Sequence, residues 1–108
     1  MNVIVQSKTL VVTEAIRNFA RHQVERLTRR DHKISRVTVF LENVSKKRND
    51  LHAATAKILV DLPGKNVVVQ ERSQNLYDAI GQAARAAAQQ VNRMKKRKLA
   101  YLSTWKKH

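Results

Sequence analysis

"HAATAKILVDLPGKNVVVQER" (His52–Arg72) is the stretch on which the fold turns. Ala54, Ala56, Ile58, Val60 and Leu62 occupy alternate positions, the period of a strand with one face against a core. "LPGK" (Leu62–Lys65) then puts Pro before Gly at its centre, the preference of a type II turn. "NVVVQER" is the returning strand. A turn this tight joins antiparallel neighbours.

Upstream, "ISRVTVFLENV" (Ile34–Val44) has the same period. Val37, Val39 and Leu41 point one way, and Arg36, Thr38, Phe40 and Glu42 the other. "SKKRND" (Ser45–Asp50) is the charged connection between these strands. Three successive antiparallel strands result, with one face strongly apolar. Further upstream, "NVIVQS" (Asn2–Ser7) is a β-branched first strand.

Two amphipathic helices remain to cover the apolar face. Thr13 is an N-cap with Glu14 in the first turn, where the helix dipole favours an acid. Ile16, Phe19, Ala20, Val24 and Leu27 follow at helical spacing, opposite a largely basic side that includes Arg17, Arg21 and Arg29. That helix should fray around Arg30–His32. Asn75 opens a second helix, with Asp78 placed as in a capping box. Leu76, Ile80, Ala83, Ala84, Ala87, Val91 and Met94 are its apolar stripe, and helicity to Lys98 would make it roughly 36 Å long. The expected fold is α+β: a β-α-β-β-β-α two-layer sandwich, with a four-stranded sheet and two helices on one face. Residues 1–98 form the domain and 99–108 a basic C-terminal tail.

The charge balance narrows the function classes. There are 22 Lys and Arg against 8 Asp and Glu, a formal net charge of +14, and no acid lies in the last thirty residues. That asymmetry points to nucleic acid or an anionic membrane. With 43% apolar residues the chain can still bury a core. It has no cysteine, which excludes disulfides, thiolate nucleophiles and Cys-type zinc sites. The start lacks the features of a signal peptide, and no apolar run reaches the roughly 20 residues of a membrane span. The cytoplasm is the expected compartment. His22, His32, His52 and His108 lack metal-type spacing, so no metal or other cofactor is expected. With only Gly64 and Gly81 there is no glycine-rich phosphate loop, and no nucleophile–base or carboxylate pair is evident. An enzyme is not expected.

Several short runs together resemble one family. They are "SK" at Ser7–Lys8, "TEAIR" at Thr13–Arg17, "RL" at Arg26–Leu27, "NLYDAI" at Asn75–Ile80 and "QQVNRMKK" at Gln89–Lys96. In this order and spacing the chain resembles the short ribosome hibernation-promoting factors and the related ribosome-associated inhibitor, also called sigma-factor modulation proteins. The likeness runs from Met1 to Lys98.

The resemblance implies a fold similar to the double-stranded RNA-binding domain. It implies docking on the small ribosomal subunit and its RNA, in the channel used by messenger and transfer RNA. Occupying that channel would inhibit translation in stationary phase or stress, in competition with both RNAs, and promote or permit ribosome dimerisation. No membrane partner is implied, and the free protein would be a monomer. The family commonly has a Lys and then an Arg within the second helix. Here those places hold Ala86 and Gln89, with Arg85 one position earlier, which shifts the expected contacts towards Arg93–Lys98.

The expected RNA contacts are therefore Lys8, Arg17, Arg21, Arg26, the loop Lys46, Lys47 and Arg48, then Arg85, Gln89, Arg93, Lys95, Lys96, Arg97 and Lys98. Clustered cations neutralise phosphates and release counterions; the rival reading for each is a solvated face. Tyr77 is expected to anchor the second helix in the core, its hydroxyl on a polar partner. Phe40 either packs against a lysine stem or the tail, or presents a stacking platform. Tyr101 and Trp105 stack on bases or fold back onto the body. A general double-stranded RNA-binding module acting away from ribosomes is the alternative function. A membrane-surface helix is a further rival, disfavoured by a stripe that is mostly alanine.

Overall fold

In the computed structural model, β1 (Asn2–Ser7), α1 (Glu14–Arg30), β2 (Arg36–Asn43), β3 (Ala54–Leu62), β4 (Lys65–Ser73) and α2 (Leu76–Lys106) follow one another. The structure describes residues 2–30, 33–43 and 53–106, with the side chains of Thr28, Arg30 and residues 95–106 left aside. The sheet order is β1-β2-β3-β4. As expected, β2, β3 and β4 are antiparallel neighbours. β1 pairs with β2 in parallel, so α1 is the crossover that a parallel pair requires.

Local chemistry accounts for the boundaries. The Thr13 side-chain oxygen accepts from the Ile16 amide at 3.2 Å, and its carbonyl accepts from the Arg17 amide at 2.9 Å. At α2, Asn75 Oδ1 accepts from the Asp78 amide, and Asn75 Nδ2 donates to the Asp78 carboxylate, both at 2.9 Å. The capping box closes side chain to side chain. In the β3–β4 turn Gly64 has φ +76°, the left-handed value that a type II turn demands of its third residue. After β1, Ser7 Oγ accepts from the amides of Thr9 and Leu10. Thr9 Oγ1 in turn accepts from the Asn43 amide, tying the turn that carries Lys8 to the end of β2.

The core lies between the sheet and the helices. Val5, Val37, Val39, Leu41, Ala54, Ala56, Ile58, Val60 and Val67 supply the sheet side, and Ala20, Val24, Leu27, Ile80, Ala83, Ala87 and Val91 the helical side. Both helices thus serve one face, and the small residues of α2 let it lie close to β3 and β4.

Two expectations are revised. Tyr77 is 46% exposed rather than a core anchor. Its ring meets Phe19 edge to face, with centroids 4.9 Å apart, and bridges the two helices at the surface. Its hydroxyl has no hydrogen bond among the described residues. The second helix also continues to Lys106, about 46 Å at 1.5 Å per residue, rather than ending near Lys98.

Candidate nucleic-acid interface

The geometry of α1 divides its arginines. Arg17 and Arg21 lie one turn apart, whereas Arg26 is nine residues from Arg17, roughly half a circuit further round at about 100° per residue. Arg21 faces a shallow depression with Asn2, Val3, Ile4 and Glu25, on the β1 side. Arg26 faces the other way, towards α2.

Arg85 of α2 lines the same groove as Arg26. This groove, of about 140 Å³ between the helices, is completed by Gln23, Leu27, Ala84 and Ala88. Leu27 and Ala84 are buried as its floor, and the two arginines are exposed on it. The alanines hold the helices close enough for residues 59 positions apart in sequence to share one site. Gln23 joins them, absent from the expected set because an isolated glutamine on a helix carries no distinguishing pattern.

Ion pairing separates the arginines further. Arg36 donates to the Asp61 carboxylate at 2.9 Å, and Arg29 lies 3.9 Å from Glu25. Their charge is in part internally compensated. Arg17, Arg21, Arg26, Arg85 and Arg93 form no ion pair among the described residues, and all five are exposed. An uncompensated guanidinium keeps its full field and its planar fork for an external phosphate. Lys8 is exposed at the turn after β1, and Gln89 is exposed on α2 one turn beyond Arg85.

The remaining expected contacts are placed less closely. Lys46, Lys47 and Arg48 lie outside the described residues. Lys95, Lys96, Arg97 and Lys98 belong to α2, as do Tyr101 and Trp105, but their side chains are outside the description. Among the described residues no cluster of three or more His, Asp or Glu gathers as metal ligands would. Among them, too, no helix is long and apolar enough to cross a membrane.

Residues 3–99 match the family described as Sigma 54 modulation protein / S30EA ribosomal protein. Among solved structures, the N-terminal domain of Protein Y from Thermus thermophilus is 34% identical. The likeness covers 86% of this chain and 94% of that one, with a TM-score of 0.70. A ribosomal subunit interface protein from Coxiella burnetii has the same fold at 18% identity and a TM-score of 0.75, covering 89% of this chain and 99% of that one. No curated protein matches the chain in sequence.

Proposed function

The chain belongs to the family of sigma 54 modulation proteins and S30EA ribosomal proteins, and from that membership we propose that it is a ribosome hibernation factor. It docks on the small subunit through ribosomal RNA, fills the channel of messenger and transfer RNA, and silences translation in stationary phase or stress. It acts in the cytoplasm without catalysis and is a monomer when free. By analogy with other family members it permits or promotes ribosome dimerisation.

The observation that carries this reading is the set of five uncompensated arginines on the helical layer, with Arg26 and Arg85 converging from different helices. Arginine suits the task because its fork binds phosphate oxygens in pairs. A net charge of +14 adds long-range attraction to a polyanion and speeds encounter. Each phosphate neutralised releases counterions, so affinity should fall steeply with salt. Lys8, Gln89, the Lys46–Arg48 loop and the Lys95–Lys98 run extend the contact surface in the proposed complex.

The test is competition. Added to a translation extract, the protein should sediment with small subunits and inhibit synthesis, and excess messenger and initiator transfer RNA should relieve that inhibition. Tight binding that neither RNA displaces puts the site outside the channel. Partition into free structured RNA, with none on ribosomes, supports the general double-stranded RNA-binding module instead.

A further inference from the structure

The face of the sheet away from the helices has an ordered composition of its own. Register aligns Ile4, Thr38, Leu59 and Val68 as one row across all four strands. The adjacent row is Gln6, Phe40, Lys57 and Gln70. One aromatic ring on a central strand therefore stands beside a lysine, with an exposed amide on each flank. Phe40 and Lys57 also line an open groove of about 300 Å³ with Gln6, Lys8 and Glu42. Its lining thus holds two lysines against one glutamate.

We propose that this open face is a second nucleic-acid site, specific for unpaired nucleotides, with a base stacked on Phe40 and its phosphate held by Lys57. The proposal rests on the RNA-binding reading above but uses none of its residues on the helices. Phe40 is half-buried on this face, and a four-stranded sheet with a partly open aromatic ring is a platform on which unstacked bases can lie. The Lys57 ammonium now sits 5.9 Å from the Phe40 ring centroid, at the outer limit of a cation–π contact. A base offers the ring far more contact area than that ammonium does, and the displaced cation remains within reach of the nucleotide's phosphate. Gln6 and Gln70 carry both donors and acceptors, suited to base edges. The row of Ile4, Leu59 and Val68 gives an adjoining sugar or base an apolar bed, with Ile4 40% and Val68 53% exposed. The helical face then grips structured RNA by charge, while the sheet face accepts a flanking single strand.

The experiment uses the full chain and three probes: fluorescein-labelled oligouridylate of about 12 nucleotides, an RNA duplex, and purified ribosomes. Phe40→Leu should weaken oligouridylate binding by about 5- to 100-fold, with the salt slope unchanged, and Phe40→Trp should restore it. Lys57→Gln should flatten that slope by about 0.7. Duplex binding should stay as in the wild type, since a duplex offers no unstacked base. Titrating unmodified protein with oligouridylate should move the Phe40 ring proton resonances upfield, a readout that needs no variant to fold. If the wild type binds ribosomes but Phe40→Leu binds oligouridylate normally, or the ring resonances stay put, this inference is overturned and the helical site stands. If the wild type does not bind ribosomes, the proposed function fails whatever the oligonucleotide does.

Discussion

Gly64 and Gly81 show how backbone context sets the sign of the same chemical change. Neither has a heavy atom within 4 Å of where a Cβ would be added, so steric fit does not distinguish them. Gly64 has φ +76°, where a side chain costs about 1–2 kcal/mol. Gly81 lies inside α2, where alanine is favoured over glycine by about 0.8–1 kcal/mol. Gly64→Ala should therefore lower the urea midpoint and Gly81→Ala should raise it, with m unchanged in both. Equal shifts, or a destabilised Gly81→Ala, would contradict this account. The Gly64 outcome is legible from "LPGK" itself, because a type II turn states its demand within four residues. Both helix caps are legible for the same reason: Thr13 and Asn75 act on amides three residues away.

Elements are less legible where their partners are distant in sequence. The alternating strands and the apolar stripes of α1 and α2 follow from periodicity, and the core contains the residues those periods select. The parallel pairing of β1 with β2 does not follow, since no local signal says where a crossover returns. The exposure of Tyr77 was also hidden, because an aromatic at a helix start reads equally as core anchor or helix–helix bridge. The site has the same limit. That Arg26 and Arg85 share a groove depends on Ala84, Ala88 and Leu27 setting the spacing between two helices. Arg26→Gln with Arg85→Gln should weaken ribosome binding and flatten the logarithmic salt slope by roughly 1.4, two contacts at about 0.7 each. Arg29→Gln with Arg36→Gln removes the same formal charge from the two partnered arginines and should change the slope less. Equal effects would mean that net charge, rather than this convergence, sets affinity.

At the scale of the whole molecule the charge is graded along the chain. All eight acids lie between Glu14 and Asp78, whereas residues 93–98 contribute Arg93, Lys95, Lys96, Arg97 and Lys98. Among the described side chains of α2, which run to Met94, Ala79, Ile80, Ala83, Ala84, Ala87 and Val91 are buried and Met94 is partly buried against the core. Replacing the five cations by glutamine retains similar helix propensity and leaves those packed residues untouched. The thermal midpoint should change little, while ribosome affinity falls. Five cations on consecutive turns cannot all face one RNA surface, so about three contacts are expected to be lost, flattening the salt slope by roughly 2 at 0.7 per contact. A variant with normal melting, affinity and slope would make the cluster a solvated helix end. The contacts would then rest on the arginines of α1, Arg85 and the Lys46–Arg48 loop. A variant that melts early instead would show that the distal part of α2 contributes to folding as well as charge.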